Sequence, residues 1–362
     1  MEQLYLFDEM KPIKSTDWKW TMANDYPKKN GLKVFSCFAC GGGSTMGYKL
    51  AGCEVIGCCE IDPRMNEVYI KNHHPKHNFL MDIRDFNQIP NEELPEELFN
   101  LDILDGSPPC TTFSMSGLRE DSWGKKKKFR EGQAEQTLDD LSFIFIDTVA
   151  KLKPKCVIME NVEGLIKGEA WSYVQRIYKE FQEIGYQVQH YLCKGETMGI
   201  PQARHRVIFV ALREDVKFDL YKLDMSFNYE PIPFGEIRSE HGTPIKGETL
   251  NWLAANFKYG DDALDGACIR LNGKGSFFNN RYIYDEKVNP TLPAKCVNVR
   301  VCDKKYMSCQ DIINSSTFPQ DYDFITHSVT NVHYICGMSV PPIMIKRVVT
   351  RLIESGVFEN VN

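Results

Sequence analysis

The segment 33–51 restricts the fold more than any other part of the chain. It begins with the short apolar run Lys33-Val34-Phe35-Ser36-Cys37-Phe38, which is typical of a buried strand. The turn Ala39-Cys40-Gly41-Gly42-Gly43-Ser44 follows, and residues 45–51 have helical character. A strand, a glycine-rich turn and a helix N-terminus in this order let a ligand approach the backbone closely. This order predicts the first unit of an α/β sheet that binds a small molecule.

A second apolar run, residues 54–59, ends at Glu60-Ile61-Asp62. An acid at the end of the second strand is the usual partner of ribose hydroxyls in nucleotide-binding folds. The glycine turn does not have the G-x-G-x-x-G order of dinucleotide sites, so we expect a nucleoside-containing cofactor and disfavour a dehydrogenase. Cys37 and Cys40 form a C-x-x-C without a second pair at zinc spacing, so we expect no metal site.

Strand and helix patterns alternate as far as residue 212, which predicts a parallel α/β sheet with helices on both faces. Further strands are predicted before Met81 and at 101–104, 156–159, 186–193 and 207–212, with helices at 138–152 and 169–184. After residue 212, glycine, proline and aromatic residues increase and helical periodicity falls, with short strands at 281–284 and 297–302 and a final helix at 340–354. We therefore expect an N-terminal extension (1–30), a catalytic domain (31–212 plus 331–362) and a smaller irregular domain (213–330).

Reactive side chains follow or precede several of these strands. Cys110 comes after strand 101–104 on a loop stiffened by Pro108 and Pro109, Glu160 follows strand 156–159, and Arg204 and Arg206 lead into strand 207–212. Ligands of open α/β sheets bind at the carboxyl ends of the strands. Taken alone, the cysteine could equally be a small buried hydrophobe and the arginines surface ion-pair partners.

The overall charge of −6 argues against a protein coated in positive charge but leaves room for a local basic patch. Residues 119–130 hold six Lys or Arg against two acids, and residues 270–305 hold eight against three; either segment could also be a solvated loop. The N-terminus has no export pattern and no apolar run is long enough to span a bilayer, so we expect a cytoplasmic protein without membrane contact. Its thirteen cysteines are then expected to be reduced.

The first residues carry one further short pattern, Gln3-Leu4-Tyr5-Leu6-Phe7. It resembles the peptide with which bacterial proteins dock on the replication sliding clamp. Because a five-residue match has little specificity, an ordinary segment that covers the core is the favoured alternative.

Five segments in this order resemble the DNA cytosine-5 methyltransferase family, over residues 33–212 and 281–355. They are Phe38-Ala39-Cys40-Gly41-Gly42-Gly43, the loop Gly106-Ser107-Pro108-Pro109-Cys110 to Ser114, Glu160-Asn161-Val162, the trio Gln202, Arg204 and Arg206, and Gly337-Met338-Ser339-Val340-Pro341. Residues 213 to about 280 fall where the family has its variable target-recognition region. The sequence departs from the family at Cys40 (usually Gly), Thr111 (usually Gln), Met338 (usually Asn) and Glu135-Gln136-Thr137-Leu138 (usually an arginine-glycine element).

The resemblance implies a Rossmann-like methyltransferase sheet, duplex DNA as substrate and S-adenosylmethionine as cofactor. Its glycine loop and Ser339 would bind the methionine end, Glu60 the ribose, and Asp82 with Ile83 the adenine. The full implied cofactor set is Phe38, Ala39, Gly41, Gly42, Gly43, Glu60, Ile61, Asp82, Ile83, Pro109, Leu138 and Ser339.

The implied catalytic residues are Cys110 as nucleophile, Glu160 at ring N3, Arg206 at the ring carbonyl and Arg204 as the residue that orients the loop. The base that removes the carbon-5 proton stays unassigned. A monomer is expected, with a restriction endonuclease of the same target as a further partner. The alternatives are a tRNA cytosine-5 methyltransferase and a non-catalytic DNA-binding relative; the Cys110, Glu160 and Arg206 set disfavours the latter.

Overall fold

A computed structural model describes residues 11–109, 141–276 and 279–359. Its strands are β1 (Lys33–Cys37), β2 (Glu54–Glu60), β3 (His77–Leu80), β4 (Ile103–Gly106), β5 (Cys156–Val162), β6 (Tyr186–Lys194), β7 (Gln202–Ala203), β8 (His205–Arg213), β9 (Tyr282–Ile283), β10 (Asn289–Pro290) and β11 (Val299–Arg300). Its helices are α1 (Gly43–Leu50), α2 (Pro63–His73), α3 (Ile83–Gln88), α4 (Leu141–Leu152), α5 (Trp171–Glu183), α6 (Phe234–Ile237), α7 (Glu248–Ala255), α8 (Leu264–Asn272), α9 (Cys309–Ser315), α10 (Val329–Met338) and α11 (Pro342–Glu354).

Seven strands form one sheet in the order β3-β2-β1-β4-β5-β8-β6. The pairs among β3, β2, β1, β4 and β5 are parallel, whereas β8 runs antiparallel to both β5 and β6. The predicted parallel α/β sheet is therefore confirmed, with β8 as its one antiparallel strand among the described residues. A parallel connection needs a crossover of a dozen or more residues, usually a helix, and the 195–204 link between β6 and β8 contains no α-helix.

Helices cover both faces of this sheet, as the sequence predicted. Successive strand residues point to opposite faces. Thus Val34, Ile103, Ile158 and Ile208 join one core with residues of α1 and α11, while Phe35, Leu104, Val157 and Phe209 join a second core with residues of α4 and α5. The two buried faces explain why these strands read as continuous apolar runs.

The region after β8 contains more helix than its sequence indicated, since α6 to α10 were not predicted. Leu253, Leu264, Tyr282 and Val299 belong to a separate small core, in which the predicted short strands are reduced to β9 and β11, paired in parallel. By contrast, α9 and α10 pack into the core on the α1 and α11 face of the sheet. Helix α10 begins at Val329, two residues before the expected return to the catalytic domain.

The described part of the N-terminal segment lies against the large domain. Trp20 is buried, and its indole N–H donates to the carbonyl of Thr317 at 2.8 Å. The Asp321 carboxylate accepts from the amides of Met22 and Ala23. Residues 11–30 therefore cover the core; Gln3-Phe7 lies outside the described residues. Within the described chain, no helix combines the length and apolarity needed to cross a membrane.

Candidate active site

The glycine-rich loop after β1 has a tightly turned backbone. Phe38 (φ 55°), Cys40 (φ 46°) and Gly42 (φ 77°) all have left-handed conformations. Such a conformation costs a non-glycine residue roughly 1–2 kcal/mol. The amide of Cys40 donates to Oε2 of Glu60 at 2.7 Å, a charge-assisted bond that offsets part of this cost. A glycine at position 40 would adopt this conformation without strain, which explains why the family that the sequence resembles usually has glycine there.

Glu60 ends β2 directly beside this loop and is 5% exposed. Its other oxygen accepts from the amide of Asp62 at 2.8 Å. Burial raises the pKa of Glu60, and these amide donors oppose the rise. Each carboxylate oxygen can accept a second hydrogen bond, so Glu60 is still able to receive ligand hydroxyls. Ile61 follows and is half-buried.

The segment between α10 and α11 closes on the other side of the loop. A Cβ placed on Gly43 would lie 2.1 Å from the carbonyl oxygen of Val340, and one on Gly41 would lie 2.6 Å from Ile335. Ser339 is 2% exposed, and its hydroxyl has no hydrogen-bond partner among the described residues. A buried hydroxyl without a partner beside a glycine-rich loop fits a polar ligand such as the methionine end of S-adenosylmethionine.

The third acidic position, Asp82, follows β3. It caps α3 by accepting from the amide of Arg84 at 2.9 Å and also forms an ion pair with the Arg84 side chain at 3.2 Å. Ile83 is the first residue of α3 and is buried in the second core. Their contact with adenine stays a prediction.

Glu160 and Arg206 form an ion pair at the end of the sheet. Arg206 Nε lies 2.6 Å from Glu160 Oε1, and the two side chains are 14% and 11% exposed. Arg206 Nη1 also donates to the carbonyl of His205 at 2.7 Å. The pair is thus neither a surface ion pair nor completely sealed in the core.

Arg204 has a different role from Arg206. It is 4% exposed, and its Nη1 donates to the carbonyls of Gly337 at 3.1 Å and Leu292 at 3.4 Å. Burial lowers the pKa of Arg204 to about 9, with Arg206 adding repulsion and Glu160 opposing it. Arg204 therefore links β8 to the segment that ends in Ser339.

The loop predicted to carry the nucleophile is described only up to Pro109. Gly106 ends β4, where a Cβ would lie 2.4 Å from the ring of Phe145. The carbonyl of Pro108 accepts from Nδ2 of Asn161 at 3.4 Å, so the residue after Glu160 contacts this loop. Pro109 is half-buried. Cys110, Thr111, Leu138 and the basic stretch 119–130 lie outside the described residues.

Three residues at this site escaped the sequence reasoning. Tyr322 donates its hydroxyl to the carbonyl of Gly41, and the ring of His73 lies against Tyr69 with its Nε2 beside Gly42. Asp105 in β4 accepts from three buried hydroxyls. Only Asp105 carried a signal, because a charged residue in an otherwise apolar strand requires partners.

The sheet order with antiparallel β8, and a glycine-rich loop between β1 and α1, define a Rossmann-like methyltransferase. A DNA modification methyltransferase of an E. coli prophage has the same fold, with a TM-score of 0.64, 17% identity and coverage of 90% of this chain and 99% of that one. The chain belongs to the C-5 cytosine-specific DNA methylases, whose family profile matches residues 32–354.

Two relatives show how far the sequence similarity extends. The type II methyltransferase M.FnuDI of Fusobacterium nucleatum is 32% identical over 192 residues, 53% of this chain and 50% of that protein. M.HindV of Haemophilus influenzae is 25% identical over 336 residues, 89% of this chain and 97% of that one. The chain thus matches about half the length of its first relatives, such as M.FnuDI and M.NgoPII.

Proposed function

We propose that this protein transfers a methyl group from S-adenosylmethionine to carbon 5 of a flipped cytosine in a specific duplex DNA sequence. The observation that carries the proposal is the partly exposed ion pair of Glu160 and Arg206 at the same end of the sheet as the glycine-rich loop. Family membership supplies the substrate class. A carboxylate and a guanidinium are suited to hold the polar edge of a pyrimidine, because one can bind N3 and the other can donate to O2.

The cofactor would be held between the loop of residues 38–43, the acids after β2 and β3, and Ser339. When bound, it supplies a methyl group on a positively charged sulfur. The described residues bind and orient it: Glu60 receives the ribose hydroxyls, Ser339 pairs with the methionine end, and Asp82 with Ile83 contacts the adenine.

Cys110 is the proposed nucleophile. Its thiolate would form a bond to carbon 6 of the cytosine, and the electrons of the carbon 5–carbon 6 double bond would move to carbon 5. Carbon 5 would then form a bond to the methyl group as the methyl–sulfur bond breaks, and S-adenosylhomocysteine would leave as a neutral thioether. Arg206 donates to the ring carbonyl and Glu160 acts at N3 as negative charge develops on the ring. A base then removes the proton from carbon 5, and the electrons return to expel the thiolate.

A cytosine within a duplex cannot reach this edge of the sheet, so the target nucleotide must be flipped out of the stack. We assign target recognition to residues 213–330, a region in which Leu253, Leu264, Tyr282 and Val299 belong to a small core separate from that of the sheet. The basic stretch 119–130 would contact phosphates and give the binding its salt dependence. Because relatives such as M.FnuDI are named type II methyltransferases, a restriction endonuclease of the same target is the proposed partner.

The test uses the full chain with labelled S-adenosylmethionine and either duplex DNA or tRNA, followed by bisulfite sequencing of the products. We expect methylated cytosines in one short DNA sequence. Cys110→Ser should abolish methylation and leave cofactor binding unchanged. Methylation confined to tRNA would show that tRNA, and not DNA, is the substrate. Cofactor binding without methylation of either nucleic acid would identify a non-catalytic relative. Full activity of the Cys110→Ser variant would overturn the mechanism.

A further inference from the structure

The side chain of Asp105 lies in the centre of the sheet and is 1% exposed. Its Oδ2 accepts from the hydroxyls of Ser36 at 2.6 Å and Ser44 at 2.7 Å, and its Oδ1 accepts from the hydroxyl of Tyr48 at 3.0 Å. All three donors are themselves buried. A single carboxylate therefore binds three side chains that are almost completely removed from bulk water.

The three donors flank the glycine-rich loop. Ser36 is the cross-strand neighbour of Asp105 in β1, two residues before Phe38. Ser44 is the second residue of α1, and Tyr48 lies one turn further on the same face. The N-cap of α1 is Gly42, which offers no side-chain cap. Asp105 thus holds the strand that enters the loop and the helix that leaves it.

This arrangement has an electrostatic cost. Burial raises the pKa of Asp105 to about 6, the charge on Glu160 adds to the rise, and the three hydroxyls oppose it. At neutral pH the buried carboxylate is consequently charged at the expense of folding stability. An asparagine of the same shape would avoid that cost. Its single amide oxygen accepts only neutral hydrogen bonds, and its Nδ2 can only donate, so the hydroxyl on that side would have to turn and accept. A charge kept at such a cost is typical of positions that serve function rather than stability.

We propose that Asp105 is a positioning residue that fixes the glycine-rich loop, residues 38–43, in the conformation that binds the cofactor. The inference rests on the proposed function, since it takes S-adenosylmethionine as the ligand of that loop. Asp105 acts through Ser36, Ser44 and Tyr48 and does not itself touch the cofactor. Because the loop contacts parts that S-adenosylmethionine and S-adenosylhomocysteine share, its misplacement weakens both ligands equally.

The test measures the Kd of both ligands by calorimetry, and thermal unfolding at pH 8, for the wild-type chain and for Asp105→Asn. We expect both Kd values to rise about tenfold, because in the variant neutral hydrogen bonds replace the charge-assisted bonds that hold the loop. The Tm should be equal or higher and the KM for DNA unchanged. Ser44→Ala and Tyr48→Phe should raise both Kd values by smaller factors.

Asp311→Asn is the matched control, because Asp311 is equally buried but pairs with Arg300 at 3.1 Å, away from the loop. It should lower the Tm and leave both Kd values unchanged. Three results would overturn the positioning role of Asp105: unchanged Kd values, a rise confined to S-adenosylmethionine, or a rise that accompanies a fall in Tm. A wild-type chain that binds neither ligand would instead refute the proposed function, so the two failures are distinct.

Discussion

Arg206 Nε lies 2.6 Å from Glu160 Oε1 because β8 runs antiparallel to β5. The first residues of β8 therefore meet the last residues of β5, at the edge where the glycine-rich loop also lies. Had β8 been parallel, its first residues would have lain at the opposite edge of the sheet. One reversed strand thus brings an arginine to the carboxyl ends of the parallel strands.

The first prediction concerns this ion pair. Glu160→Gln and Arg206→Ala should each lower kcat by at least about 100-fold, the lower range for loss of a general acid or an electrostatic stabiliser. The Kd for S-adenosylmethionine should stay near the wild-type value. Glu163→Gln is the control: Glu163 follows β5 closely but pairs with His205 and Lys167. Similar kcat losses for all three variants would contradict a specific role for the pair.

The second prediction concerns the buried charge of Arg204, whose pKa burial lowers to about 9. Burial disfavours the charged form of any cation at this position, so a lysine there would have a pKa well below its ordinary value of about 10.4. Arg204→Lys should therefore bind the cofactor more weakly as the pH rises from 6 to 8.5, because its donor to the Gly337 carbonyl loses its charge. The wild-type affinity, measured in parallel by calorimetry, should change much less. Parallel pH profiles of the two proteins would exclude this role.

The third prediction tests the contact of Gly43 with Val340. In Gly43→Ala the new methyl group would overlap the Val340 carbonyl, so we expect destabilisation of about 1–3 kcal/mol and weaker cofactor binding. In Gly266→Ala the added Cβ meets no atom within 4 Å and lies in α8. The free energy of unfolding of this control should be higher than that of the wild type by up to about 1 kcal/mol. Denaturant unfolding and cofactor titration measure the two effects. If Gly43→Ala changed neither the free energy of unfolding nor the cofactor affinity, the segment between α10 and α11 would be able to move away from the added methyl group at little cost.

The fourth prediction gives the pH dependence of folding stability due to Asp105. Its folded pKa, about 6, lies above the unfolded value, so its contribution is largest below pH 4 and is lost as the pH rises through 6. Between pH 5 and 8 the wild-type free energy of unfolding should fall by about 1–2 kcal/mol relative to Asp105→Asn. The nearby titratable groups are Tyr48, Cys37, Tyr69 and Glu160; the pKa values of the first three are raised far above this range. Urea unfolding of both proteins across this range measures the difference. If the free energy of unfolding changed equally with pH in both proteins, the prediction would be wrong.

The sequence predicted the strands of the sheet well, because buried strands are continuous apolar runs and Pro or Gly ends them. It could not predict the direction of β8, since the apolar run at 207–212 is the same in either orientation. The resemblance implied that Glu160 and Arg206 act at one site and that Arg204 orients the loop. The sequence did not indicate the ion pair or the acceptors of Arg204, because Leu292 and Gly337 are distant from it in sequence. The helices after residue 212 were missed where their apolar faces are short, as in α7 and α8.

The contact between Gly43 and Val340 joins residues separated by nearly 300 positions in the chain. During synthesis, the strands and the glycine-rich turn leave the ribosome long before the segment that covers them. The loop therefore stays uncovered while most of the polypeptide is being made, and its packing is complete only after residue 340 has emerged. A chain interrupted shortly before Ser339 would already contain all seven strands of the sheet but would lack the segment that packs against the glycine-rich loop.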